Sequence, residues 1–177
     1  MWAKNTDTAD IETKGYCWYK TTNGIKRHLL VDVLGNPYFV KCTPASISDD
    51  DCLVAIIREH KEYFLELPSG QSITILLDNG YHKEHLEEEI KKIDEELGKR
   101  LRIEIAEKIT PQRRAEAKAE NPAKQGFVVI RKRWLVERSN AWINQCRVLW
   151  KNCEGLLETS ETKIRICAIR LILRRLA

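Results

Sequence analysis

A chain of 177 residues with 43% hydrophobic and 32% charged content suits a single folded domain, with or without a helical appendage, and excludes a disordered or fibrous polypeptide. The net charge of +4 is unevenly placed: from Arg131 to Ala177 eleven Lys and Arg stand against four Glu, so this segment carries +7 and the remainder −3. A basic C-terminal segment beside a more acidic middle suggests a face for polyanions, although a solvated helix surface has the same composition.

Residues 1–24 are rich in Thr, Asp and Asn and lack periodicity, so they read as an extended lead-in. His28–Leu34 (HLLVDVL) and Tyr38–Thr43 (YFVKCT) are apolar β-formers around the turn Gly35-Asn36-Pro37, the signature of a hairpin. Ser48 is placed as an N-cap, and Asp49, Asp50 and Asp51 suit the positive end of the helix dipole. Leu53, Ile56, Ile57, Tyr63 and Phe64 carry that helix to about Leu67, and Pro68-Ser69-Gly70 ends it. Ile73–Leu77 (ITILL) reads as a strand buried on both faces, followed by Asp78-Asn79-Gly80. Leu86, Ile90, Ile93 and Leu97 form the apolar stripe of a charged helix over 82–97. Leu101–Ile105 and Phe127–Ile130 read as short strands, and 107–125 as an exposed loop rich in Lys, Glu, Ala and Gln. Helices are predicted from Lys132 to about Trp150 and from Ser160 to Leu176. This order is an α/β pattern with an antiparallel component and a C-terminal helical segment.

Several chemistries lack support. Apolar runs such as Ile73–Leu77 are too short to span a bilayer, and Met1–Asp10 lacks the apolar stretch of a secretory signal. The six cysteines form no CxxC pair and read as reduced thiols of a cytosolic protein. His28, His60, His82 and His85 make no catalytic grouping, and no Walker-type glycine loop is present.

Two carboxylates remain. Asp78 follows a buried strand, at the sheet edge where open α/β sheets place ligands; an ordinary turn aspartate would occupy the same position. Glu137 lies among Arg131, Lys132, Arg133 and Arg138, either as a metal ligand beside phosphate-holding cations or as one partner of a surface ion pair. Trp134 and Trp142, on the same helix, read as core. Carboxylates from distant parts of the chain, brought together around Mg²⁺, are what two-metal phosphoryl transfer requires.

These segments together resemble a known family. Gly24–Gly35 (GIKRHLLVDVLG) resembles the GxKRHxxVDxLG hairpin of bacterial insertion-sequence DDE transposases of the IS4/IS5 type. Leu77–Tyr81 (LDNGY) resembles their DxGY segment, Arg133–Trp142 (RWLVERSNAW) their RWxVERxxAW helix, and Ile169–Leu176 their usual C-terminus. The resemblance covers about residues 15–177, with four motifs in the right order.

It implies an RNase H-like mixed sheet flanked by helices over 25–177, with Asp78 and Glu137 as the second and third members of the DDE triad and ligands of Mg²⁺ or Mn²⁺. It implies DNA contacts by Arg131, Lys132, Arg133 and Arg138, with Lys26 and Arg27 added from the hairpin. The partners expected are DNA, at element ends and target, and a second copy or a full-length transposase, with no membrane. The setting expected is the cytoplasm, on the nucleoid. The family's first aspartate lies on a strand upstream of the Lys-Arg-His hairpin. Here Asp7 and Asp10 lack that context, and Asp32 matches the hairpin's own aspartate, leaving it a weak third candidate. The first strand is therefore expected to be missing and the chain to be a partial copy. The implied activity is metal-dependent DNA strand cleavage and transfer. The alternative is an inactive DNA-binding or inhibitory fragment.

Overall fold

The hairpin predicted around Gly35 forms the centre of the first structural unit. The structure is a computed structural model and describes residues 14–66, 68, 71–106 and 134–176, with the backbone alone of 2–4 and 133. The chain divides into two units, one of residues 1–60 with 135–177 and one of 61–134.

In the first unit, β3 (Thr22–Val31) pairs antiparallel with β4 (Pro37–Pro44), Arg27 opposite Cys42, with a register irregularity at Leu30/Val31. The other edge of β3 is lined by β1 (Trp2–Lys4) and β2 (Gly15–Cys17), both antiparallel. The lead-in thus contributes two short strands, and β3 itself begins at Thr22 rather than His28.

Alternation along the hairpin separates two faces. Ile25 on β3, with Val40 and Cys42 on β4, joins Ile143, Cys146, Leu149, Ile164 and Cys167 in one buried cluster. These partners come from α5 (Arg133–Asn144), from Cys146 and the 3₁₀ turn Arg147–Leu149 that it precedes, and from α6 (Leu157–Leu176). The opposite face meets α1 (Asp49–Glu59): Lys26 pairs with Asp49 at 3.1 Å, Lys41 with Glu59 at 2.5 Å, and Phe39 stacks on His60 at 4.2 Å.

Helix ends follow local chemistry. Ser48 accepts the Asp51 N–H at 3.0 Å, the predicted cap. The helix expected to run on to Leu67 breaks at His60, and the short α2 (Lys61–Leu65) follows. The helix expected from Lys132 to Trp150 stops at Asn144. There the Gln145 N–H is shared between the Ala141 and Trp142 carbonyls, the Cys146 N–H turns to the carbonyl three residues back, and Leu149 is brought into the core.

The second unit contains β5 (Ile73–Leu77) and β6 (Leu101–Ile105), a parallel pair with Ile75 opposite Ile103. Their connection is α3 (Lys83–Ile93) and α4 (Glu95–Arg100), not one helix. Asp94 is extended (φ −166°, ψ 132°), caps α4 through the Glu96 N–H at 2.8 Å and pairs with Lys61 at 2.8 Å. A carboxylate that can cap a new helix competes with continuing the old one. The described strands form an antiparallel sheet in the first unit and a parallel pair in the second. The expected loop 107–125 and strand Phe127–Ile130 lie outside the described residues.

Cys17, Cys42, Cys52, Cys146 and Cys167 are buried, Cys153 is exposed, and none is in a disulfide. Burial pushes the Cys42 and Cys52 thiols up to about 12.

Candidate functional site

Asp78 is carried by β5. Ile75 and Leu77 are buried, so the strand is fixed and the next residue emerges exposed at its carboxyl end. The Asp78 carboxylate accepts the Asn79 N–H at 2.8 Å and its carbonyl accepts the Tyr81 N–H at 3.2 Å. These bonds build the predicted turn. The cap of α3 is His82, which contributes no side-chain cap bond.

Glu137 is carried by α5. Leu135, Ser139 and Ile143 are the buried positions of that helix, so Trp134, Glu137 and Ala141 form its exposed stripe. Trp134, expected from sequence to be core, is instead 45% exposed and stands on this stripe. Trp142 is partly buried, and the guanidinium groups of Arg138 and Arg175 lie over its ring at 4.7 and 4.9 Å. The ring therefore receives two cations, a contact worth about 0.5–2 kcal/mol each.

Asp32 is engaged by its own turn. Its carboxylate accepts the N–H groups of Leu34 and Asn36, each at 2.8 Å, and the Asn36 amide at 2.9 Å. Burial works to raise its pKa, but the bonds from Asn36, Leu34 and Gly35 outweigh it and hold the carboxyl below the usual range.

The cations separate into distinct roles. Arg27 is 8% exposed and donates to the Leu149 carbonyl at 2.8 Å; burial lowers its pKa. Lys26 donates to the Ile47 carbonyl at 2.7 Å as well as to Asp49. Both were expected to face DNA; each makes bonds inside the unit. Their positions in an alternating strand placed them on its two faces, a signal available in the sequence. Arg138 donates to the Leu34 carbonyl, clasping α5 to the hairpin turn. Arg131, Lys132 and the Arg133 side chain lie outside the described residues.

Sequence reasoning passed over Ser139. Its hydroxyl lies 2.5 Å from the Gly35 carbonyl and 2.8 Å from that of Leu135, and its one hydrogen is shared between them. Residues 4–172 match the family model described as the transposase DDE domain.

The chain belongs to the transposase DDE domain family.

Searches of curated proteins and of solved structures return no match. The family's chemistry is that of a nuclease and strand transferase acting on DNA, and it generally uses divalent metal ions. Within the DDE domain, Asp78 belongs to the unit of residues 61–134 and Glu137 to the other. Exposed carboxylates at a strand tip and on a helix stripe are hard oxygen donors, the kind Mg²⁺ selects. No group of three or more His, Cys, Asp or Glu side chains among the described residues is gathered for a metal ion. No helix among the described residues of the DDE domain is long and apolar enough to cross a membrane.

Proposed function

We propose that this DDE domain cleaves and transfers DNA strands at the ends of an insertion sequence, with Asp78 and Glu137 as carboxylate ligands of Mg²⁺ or Mn²⁺. The observation that carries the reading is the family match over 4–172, joined to the placement of these two acids. Both are exposed, one ending a strand with Ile75 and Leu77 buried and one on the outer stripe of a helix whose other side is core. An RNase H-like arrangement of the sheets and action on the nucleoid belong to the same proposal.

When bound, the metal supplies charge neutralisation at the phosphate and activates the attacking water or 3′-hydroxyl. The chain's own part is to present two carboxylates, one at a strand tip and one on a helix. Arg131, Lys132 and Arg133 precede Glu137 by six, five and four positions, and hold the phosphate backbone alongside it. Such contacts weaken steeply with salt, each neutralised phosphate adding about 0.9 to the slope of log affinity against log salt.

The test is nicking of DNA carrying the element's ends, with and without Mg²⁺ or Mn²⁺. Asp78→Ala and Glu137→Ala should each lower the rate about a thousand-fold or more, since several kcal/mol of charge stabilisation is lost with the metal. Metal-dependent nicking that survives both substitutions overturns the assignment.

A second reading follows from Asp32. With its carboxylate committed to the hairpin turn, two triad acids remain, and two acids hold a hard cation less firmly than three. On that reading the domain binds DNA, or a full-length transposase, without cutting. Salt-sensitive binding with no nicking at any metal concentration would select it.

A further inference from the structure

The tip of the β2–β3 hairpin carries aromatic rings that the fold does not use. β2 and the first residues of β3 pair as Gly15 with Gly24, Tyr16 with Asn23 and Cys17 with Thr22, and the 3₁₀ turn Trp18–Lys20 joins them. Thr21 closes the turn with φ 47°, the left-handed region. Trp18 is 85% exposed and Tyr19 95%, the two most exposed aromatic side chains described. Tyr16 meets Trp18 edge to face at 4.9 Å.

The base of this tip is rigid. Cys17 is buried, and the Ala45 N–H donates to the Gly24 carbonyl at 2.9 Å. Gly15 lies so close to the following turn that a Cβ would meet the Ser46 nitrogen at 2.5 Å. A firm pedestal thus lifts two aromatic faces into water, with Lys14 and Lys20 at either end of the segment.

We propose that Trp18 and Tyr19 form a stacking platform for unpaired DNA bases. The proposal rests on the DNA reading above. Bare aromatic faces with lysines at hand are the elements that bind single-stranded nucleic acid, because every base has a π-face and every linkage a negative charge. A protein partner fits less well. Stable protein interfaces bury about 800 Å² on each side, and a tip of two rings supplies a small part of that.

The experiment uses the full chain and three fluorescently labelled DNAs of one sequence: a duplex, the same duplex with a short unpaired bubble, and the single strand. Anisotropy titrations should show the bubble and the single strand bound roughly ten-fold or more tighter than the duplex. Trp18→Ala/Tyr19→Ala should reduce both to the duplex level while duplex affinity and melting temperature stay unchanged. Trp18→Phe/Tyr19→Phe, which keeps the rings, should retain the preference.

Equal affinity of the unaltered chain for all three DNAs overturns the platform. So does a proportional loss on every DNA in the alanine variant. A dimer that the alanine variant dissolves, with DNA binding unaltered, would make the tip a contact between copies and also overturn it. If the unaltered chain binds none of the three, the DNA reading itself falls, and the platform with it.

Discussion

His28 is the residue whose chemistry the fold changes most visibly. It sits on the α1 side of β3, 3% exposed, with its Nε2 2.9 Å from the Thr43 hydroxyl. Burial pushes its pKa down to about 4; Asp49 draws it up and Lys26 presses it down further. The ring is therefore neutral when folded and takes a proton more readily in the unfolded chain, at its ordinary value of 6.5. The stability this gives is fully present above pH 6.5 and is lost as pH falls toward 4. The loss approaches about 3 kcal/mol over that window, at 1.36 kcal/mol for each pKa unit. Urea unfolding of the chain and of His28→Gln at a series of pH values should show the variant losing less stability across the window. Parallel curves would refute this account.

Among elements, the joint between the hairpin turn and α5 concentrates several constraints. Gly35 has φ 81°, its N–H donates to the Asp32 carbonyl at 3.0 Å, and its own carbonyl accepts from Ser139. A Cβ there would meet Arg138 Nη2 at 2.8 Å and Ser139 Oγ at 3.1 Å. The arginine tip can swing aside, so backbone strain dominates. Gly35→Ala should destabilise the chain by about 2 kcal/mol, the left-handed penalty of roughly 1–2 kcal/mol plus the disturbed clasp. A denaturation midpoint within error of the unaltered chain would remove that argument.

The sequence made the hairpin legible, because strand alternation and a Gly-Asn-Pro turn are local signals. It also made the Ser48 cap, the β5 strand and the turn at Asp78 legible for the same reason. The breaks at Asp94 and Asn144 were not legible. A heptad-like stripe runs through the first and masks the capping carboxylate of Asp94, and at the second the core that takes in Leu149 decides where the chain turns. Trp134 misled because a large ring on an apolar helix is usually inside. Which face of α5 is covered depends on Leu135, Ser139 and Ile143 meeting the rest of their unit.

At the scale of the molecule, charge and burial are distributed in ways that suit a DNA-processing domain. The +7 of the last segment is carried largely by arginines, and α6 presents Arg170 and Arg174 outward while Arg175 serves Trp142 and Asn36. Glu161, buried on the inner side of α6, accepts the Cys42 N–H at 2.8 Å and so covers part of the β4 edge. An edge satisfied by a side chain is less open to pairing with a neighbour. The distribution of sulfur has a practical outcome. Of six thiols, five are shut in the interior and Cys153 alone faces water. A maleimide dye added to the native chain should attach once, and under denaturant six times. The polypeptide therefore reports its own integrity by mass spectrometry, and a dye placed at Cys153 marks one known point. More than one adduct on the native chain would mean that its interior opens on the timescale of labelling.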